Sequence, residues 1–303
     1  LNDLGSLDYA VASCSQAIAL KPDFAEAHTN LGAALEELGR FEDAEASYSQ
    51  AIALKSDYAL AHYGLSKMLY IKGNEDLALK SIVKANEIEP QSKDYELMLR
   101  VMEVRKSRKK KEDAVDNTIN IGALTGLISN PLILNRLVEQ ELKDELYKMK
   151  ALEHYPQTDT IYGNARGSGY QLFQDSNSLI IKSVQDDLVR LLKNATKTNI
   201  YIKDSFFHIM GAGGAGVNRH NHIGEFDLDS SLNLIKQKFS LVYYLAIGDQ
   251  DCSEPGTLKL YDPSENILPS EGKIVIFPAD RYHSVVYNGK KDRVIIGINF
   301  YCL

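Results

Sequence analysis

AHTNLGAALEELGRFEDAEASYSQA, residues 27–51, and AHYGLSKMLYIKGNEDLALKSIVKA, residues 61–85, are two copies of one pattern. Ala27, Leu31, Gly39, Ala44 and Ala51 stand 34 residues before Ala61, Leu65, Gly73, Ala78 and Ala85. Gly5, Ala10 and Ala17 lie the same distance upstream of Gly39, Ala44 and Ala51, and Pro22 recurs as Pro90 two periods on. A fixed period of this length marks stacked repeats, each with an apolar face that only its neighbours can cover. The recurring alanines let antiparallel helices approach closely, and Gly39 and Gly73 fall where a helix must stop, because glycine accepts the left-handed cap conformation.

Residues 1–90 resemble the tetratricopeptide repeat family, whose period is the same. Leu31-Gly32 sits at the family's Leu-Gly step, and Ala44, Tyr48 and Ala51 follow at its small, aromatic and small positions. His28 stands where the family usually has Trp, and Ser56 where it has Pro. The first repeat keeps only its second helix, and YELMLRVMEV, residues 95–104, has the helical spacing of a capping segment. The resemblance implies a groove that takes a peptide or protein; the other reading is an array that only spaces or orients the second half of the chain. KSRKKKEDAVDN, residues 106–117, reads as a charged helix end and linker rather than a nucleic-acid patch, since no aromatics interleave its basic run. The expected division is 1–113 for the array and 114–303 for a second domain.

Over 303 residues the net charge is -7, which disfavours nucleic acid and anionic membranes as partners. No apolar run is long enough to span a bilayer, and the opening LNDLGSLDYA lacks the basic front and apolar centre of a signal peptide. Cys14, Cys252 and Cys302 are odd in number and far apart, matching neither a disulfide framework nor a zinc spacing. The expectation is a cytoplasmic protein.

Past the linker, residues 130–153 and 175–197 carry leucines at helical spacing, the first behind an Asn-Pro start. The texture then changes. IYIKDSFFHIM (200–210), FSLVYYLAI (239–247), GTLKLYD (256–262), GKIVIFPA (272–279), YHSVVYN (282–288) and DRVIIGINFYCL (292–303) are short, β-branched and aromatic, and separated by turn residues. Such spacing predicts a sandwich or jelly roll, with Asn288-Gly289 as a tight-hairpin signal. Gly211 to Gly216 matches G-x-G-x-x-G, but VNRHNHIGEFDLD after it has no helical period, so the pattern reads as a loop beside a pocket rather than a dinucleotide site.

His220 and His222 are one residue apart, so a strand would turn both to one face; His283 comes from a later strand, and Arg293 lies ten residues further on. Imidazole nitrogens from separated strands can cap one face of an iron, copper, zinc or nickel ion and leave the other open. Glu225 and Asp227 stand at odd spacing from His222, on the opposite face of a continuing strand, which favours three histidines over a carboxylate ligand without excluding one. The packing reading covers His208, Tyr243, Tyr244, Tyr261 and Tyr282.

In order along residues 165–303 come His220 and His222, Val242-Tyr243-Tyr244-Leu245, Gly256-Thr257-Leu258, Gly272 to Pro278, His283 and Arg293. This half resembles the 2-oxoglutarate- and Fe(II)-dependent oxygenases, on the prolyl-hydroxylase-like side, although the commoner family motif has an acid where His222 stands. The resemblance implies a double-stranded β-helix (jelly roll) with flanking helices, so that the whole chain is a multidomain α + β protein. It implies Fe(II) held by His220, His222 and His283, with 2-oxoglutarate and O2 as co-substrates. It implies a guanidinium at Arg293 for the far carboxylate of 2-oxoglutarate, the alternative being a surface ion pair with Asp292 or Asp280. Ser240 is expected to touch the same carboxylate, and Asn299 to line the pocket. The implied reaction is hydroxylation of an unactivated C–H bond, on a substrate that the repeats recruit, with loop 211–216 gating its entry. Two other functions stay open: a three-histidine dioxygenase that needs no 2-oxoglutarate, and a non-enzymatic repeat scaffold with a degenerate jelly roll.

Overall fold

The computed structural model of the chain describes residues 2–112, 130–149, 153–154, 165–211, 215–229 and 232–303. Contacts divide the chain into two compact units, Leu1–Asn117 and Thr118–Leu303. No described helix is long and apolar enough to cross a membrane.

The first unit is helical: α1 (Asn2–Leu20), α2 (Ala25–Glu37), α3 (Phe41–Leu54), α4 (Ala59–Ile71), α5 (Glu75–Ile88) and α6 (Lys93–Glu112). The recurring alanines are its seams, for Ala44, Ala51, Ala61, Ala78 and Ala85 are all fully buried. Gly39 and Gly73 end α2 and α4 at φ +72° and +78°. Beyond each, the next amide reaches back to the last turn, Arg40 to the Leu35 carbonyl and Asn74 to that of Leu69. The histidine at the usual Trp position makes the same contact in both repeats. A ring nitrogen of His28 bonds the Pro22 carbonyl at 3.1 Å, and that of His62 the Ser56 carbonyl at 3.0 Å. Because a carbonyl only accepts, each ring must present an N–H there, so Ser56 keeps the contact with no need of proline.

Tyr48 joins successive repeats. Its ring fills the space beside two glycines: a Cβ on Gly32 would come within 2.8 Å of it and one on Gly64 within 2.4 Å. Its hydroxyl donates to Glu36 at 2.9 Å. Gly64→Ala is therefore expected to destabilise the helical unit by about 1–3 kcal/mol, the usual cost of overpacking, read as an earlier urea midpoint of the helical signal; an unchanged midpoint would show that the ring moves aside freely.

The second unit is rich in antiparallel strands: β1 (Leu132–Asn135), β2 (Glu153–His154), β3 (Ala165–Gly167), β4 (Ile200–Met210), β5 (Ala215–His220), β6 (Lys238–Ile247), β7 (Pro255–Leu260), β8 (Glu265–Ile267), β9 (Lys273–Pro278), β10 (His283–Tyr287) and β11 (Arg293–Cys302). Helices α7 (Gln140–Lys148), α8 (Leu172–Asp175) and α9 (Leu179–Thr196) precede β4. A seven-stranded sheet runs β1-β9-β6-β11-β4-β3-β2, and a four-stranded sheet β5-β10-β7-β8. From β4 onward the chain crosses repeatedly between the two sheets. The period-2 pattern sorts each strand's faces. Phe207, Phe239, Leu241, Ile296, Ile298 and Phe300 pack outward with Leu142 and Leu188 of the helices. Tyr244, Val275, Phe277 and Ile295 pack inward with Leu258 and Leu260 of the smaller sheet.

Two local expectations are corrected. The stretch 130–153 is not one helix: Leu132–Asn135 pairs with β9, and only Gln140–Lys148 is helical. Leu132 and Leu134 join the core while Ile133 is exposed, an alternation of strand type within a run of leucines that fits either period. Nor does Asn288-Gly289 make a hairpin, since β10 pairs with β5 and β7, and β11 with β4 and β6. The segment is fastened instead to residues 249–254: the Glu254 amide donates to Asn288 Oδ1, the Lys291 amide to Asp249 Oδ2 and the Asp249 amide to the Tyr287 hydroxyl. That fastening redirects the chain from one sheet to the other. Of the glycine pattern at 211–216, Ala215 and Gly216 belong to strand β5 rather than to a loop, and residues 212–214 lie outside the described ones.

Candidate metal centre

Each imidazole reaches the centre by a different route. His220 ends β5 and faces His283, the first residue of β10, in register across the ladder. His222 lies past the end of β5, so strand parity does not place it. Its backbone does: the His222 amide donates to the Ala279 carbonyl at 2.8 Å, and the Lys238 ammonium holds the His222 carbonyl at 2.6 Å. The three rings meet with centroids 4.2–4.9 Å apart. One nitrogen from each lies within 4.8 Å of the others, and the Nε2 atoms of His222 and His283 are 3.2 Å apart.

The donor set fits a metal. His220 Nδ1 lies 2.7 Å from the Asn218 carbonyl and His283 Nδ1 3.2 Å from that of Arg281. Carbonyls only accept, so each Nδ1 carries the proton and each Nε2 keeps a free lone pair, the arrangement that orients ligating histidines. Nitrogens bound about 2.1 Å from one ion at right angles would stand about 3 Å apart, so small ring movements close the set. Burial, with the neighbouring His283 and His220 charges, drives the pKa of His222 far down. Burial and His220 lower that of His283 to about 4. Both rings are thus held in the neutral, ligating form.

His208, read as a packing residue, also lines the cavity, and burial followed by the Arg293 charge lowers its pKa to about 4. The folded state keeps these rings neutral, whereas the unfolded chain protonates them near the ordinary 6.5. Proton uptake therefore favours unfolding, and the melting temperature of chelator-treated protein is expected to fall as pH drops from 6.5 to 4, with no plateau at 4 because His222 stays neutral further down. A flat profile across that window would show that the rings charge without cost.

Of the two acidic alternatives, Asp227 is committed elsewhere. One carboxylate oxygen accepts from the Gly224 amide at 2.8 Å and Lys238 at 2.7 Å, the other from the Tyr301 hydroxyl at 2.5 Å. Asp227 and Lys238 are both buried, and their pair ties the segment after His222 to β6 and β11. The side chain of Glu225 lies outside the described residues.

A cavity of about 230 Å³, many times what one water requires, is lined by all three histidines and by Tyr244, Met210 and Arg293. Arg293 is 2% exposed, and among the described residues no carboxylate pairs with it. Its guanidinium stands 5.2 Å from the Tyr244 ring, with Nη1 3.3 Å from Met210 Sδ. Arg293 Nε and the Tyr244 hydroxyl make no hydrogen bond of good geometry, though Tyr244 lies close enough to offset part of the effect of burial on the guanidinium. Burial lowers the arginine's pKa. Asp292, the surface alternative, is taken by Arg166 at 3.3 Å and the Tyr147 hydroxyl at 2.9 Å. Gly256 makes room for the guanidinium: it adopts φ +81°, and a Cβ there would come within 2.6 Å of Arg293 Nε.

Ser240 and Asn299 line the same cavity and bond each other at 2.9 Å. Their backbone positions differ from that of Arg293. Asn299 is paired with Ser240, whereas Arg293 is paired with Ile247 at the far end of the same two strands. Six residues of strand separate the two backbone levels, about 20 Å, and the Arg293 side chain covers part of that distance, with its guanidinium over Tyr244, the partner of Ile295. Ser240 is instead opposite Phe277, whose ring touches His283, 4.9 Å between centroids. The cavity therefore has a cationic depth at Arg293 and a polar rim beside the histidines. Tyr243 faces the helices, hydrogen-bonded to Arg136 and the Leu137 carbonyl. Tyr261 and Tyr282 flank Arg219.

Comparison with known proteins speaks to the first unit. Residues 1–39 match the TPR repeat model and residues 25–58 the tetratricopeptide repeat model, so the helical unit is built of tetratricopeptide repeats. No curated protein matches the chain. Among solved structures it is similar to the first TPR of Spaghetti (RPAP3) bound to HSP90 peptide SRMEEVD, at 22% identity and TM-score 0.33, over 34% of this chain and 82% of that one. It is also similar to a Thermobaculum terrenum O-GlcNAc transferase mutant, at 26% identity and TM-score 0.31, over 33% of this chain and 19% of that one.

Proposed function

We propose that the β-rich unit is a double-stranded β-helix oxygenase that uses Fe(II), 2-oxoglutarate and O2 to hydroxylate an unactivated C–H bond. The observation that carries this reading is Arg293: a buried guanidinium with no described acidic partner, in one cavity with three imidazoles poised as ligands. An uncompensated buried cation costs several kcal/mol. A diacid that reaches from the metal to Arg293 cancels that charge with two parallel hydrogen bonds. When bound, the metal supplies redox chemistry and open coordination positions. The chain's own residues hold it through His220, His222 and His283, anchor the far carboxylate through Arg293 and keep water away with Tyr244, Leu258 and Ile295.

Arg293 also separates this reading from a three-histidine dioxygenase without 2-oxoglutarate, in which the same guanidinium would have nothing to hold. In the oxygenase reading the tetratricopeptide unit recruits a peptide or protein substrate. Anaerobic addition of Fe(II) and then 2-oxoglutarate is expected to produce a weak visible charge-transfer band. Iron binding without such a band would favour the dioxygenase that needs no 2-oxoglutarate, and no iron binding would leave a scaffold.

A further inference from the structure

We infer that the substrate of this site presents an aliphatic cation, an alkylammonium or guanidinium, to Asp204; this rests on the oxygenase reading and names its substrate class. A polar ladder crosses the seven-stranded sheet at the level of the histidines. Ser240 on β6 donates to Asn299 Oδ1 on β11, and Asn299 Nδ2 donates to Asp204 Oδ2 on β4 at 3.2 Å. Ser240 and Asn299 are buried and line the cavity, and Asp204 continues the row on β4, on the strand face of Phe206 and His208, which line the cavity too. The ladder ends in a half-buried carboxylate, and among the described residues no lysine or arginine pairs with Asp204.

Beside the ladder lies an apolar shelf. Phe206 lies over Gly297, where a Cβ would come within 2.3 Å of its ring. Tyr170 meets Phe206 edge-on at 5.5 Å and is 60% exposed, while its carbonyl is fastened to the Ser205 amide at 2.9 Å. Neighbouring strands are about 4.8 Å apart, so Asp204 stands about 10 Å across the sheet from Ser240. An extended aliphatic stem over Phe206 spans that gap. It leaves the cation on Asp204 and Tyr170, with its carbons turned to the histidines. A carboxylate and aromatic faces are the groups that select a cation, whereas an anionic substrate would meet Asp204 with repulsion.

The test uses the full chain with Fe(II) and 2-oxoglutarate under nitrogen, and reads the shift of the visible band as a lysine-bearing peptide is added. The same peptide carrying norleucine or glutamate, and free lysine and n-butylamine, complete the series. The lysine peptide is expected to bind at least about tenfold tighter than its norleucine counterpart, the scale of one charge pair, and in air to stimulate succinate release. Asp204→Asn is expected to erase that preference. Binding by the free amines as well would assign the recognition to the cation alone; binding by the peptide only would add a main-chain contact. If the band forms but lysine, norleucine and glutamate peptides behave alike, this inference fails and the oxygenase reading stands. If no band forms, both fail. Should Asp204→Asn not fold, the ranking of the three peptides on the unaltered chain decides the matter by itself.

Discussion

His283→Ala is expected to abolish the visible band of the Fe(II)–2-oxoglutarate complex and to weaken iron binding by more than about 100-fold, since loss of an outer partner alone costs about 10–100-fold. His283 is the ligand whose removal is least easily compensated. It is buried, its Nδ1 proton is spent on the Arg281 carbonyl, and its ring is wedged against Phe277. Alanine leaves a gap between that ring and the other two imidazoles, and no described acidic side chain is free to fill it, Asp227 being tied to Lys238, Tyr301 and the Gly224 amide. Anaerobic titration with Fe(II) provides the measurement. His62→Ala, in the helical unit, controls for the loss of a histidine as such, and equal iron binding by both variants would remove His283 from the centre.

Arg293→Met is expected to move two quantities in opposite directions. Without 2-oxoglutarate the variant should be the more stable protein, because methionine replaces a buried charge that has no described counter-ion; exchanges of buried ionic groups for apolar ones of similar size are neutral or gain about 1–4 kcal/mol. With 2-oxoglutarate the order should reverse. Loss of a buried charge-assisted pair costs about 2–5 kcal/mol, so co-substrate affinity should fall by a factor on the order of 100, and the rise in melting temperature on adding 2-oxoglutarate should vanish. Melting curves of both proteins, with and without the diacid, measure both changes. A less stable Met variant that still gains from 2-oxoglutarate would show that Arg293 serves the fold and not the ligand.

The helical unit was legible because its signal is local: the alanines and glycines of a repeated pattern fix where helices touch and stop. Period 2 likewise located most of the long strands. The two departures have one physical source, since hydrophobic pattern records burial and not partner. Leu132 and Leu134 are buried at a spacing that suits a helix or a strand, and only β9 decides. Asn288-Gly289 promises a turn, but the bond from the Glu254 amide determines where the chain goes afterwards. At the candidate centre the three histidines were legible from residue type and order, but parity is not what places His222. The strand ends at His220, and Lys238, sixteen residues beyond His222 in the sequence, holds the next segment in place. Ser240 and Asn299 share a strand face with Arg293, but register sends them to the opposite end of it. His208 reads as packing in the sequence because a single histidine in a strand gives no sign of which cavity it faces.

The crossing of successive strands between the two sheets sets an order of assembly. Adjacent helices of the repeats touch through neighbours in sequence, so that half of the chain can form early and quickly. The groups of the centre come from residues 220, 222, 283 and 293, carried on strands whose partners are distant in the chain, as β11 with β4 shows. Arg293 joins the three histidines only when the last strand pairs with β4 and β6. A chain that folds from its N-terminus would therefore complete the helical repeats before the three histidines and Arg293 converge.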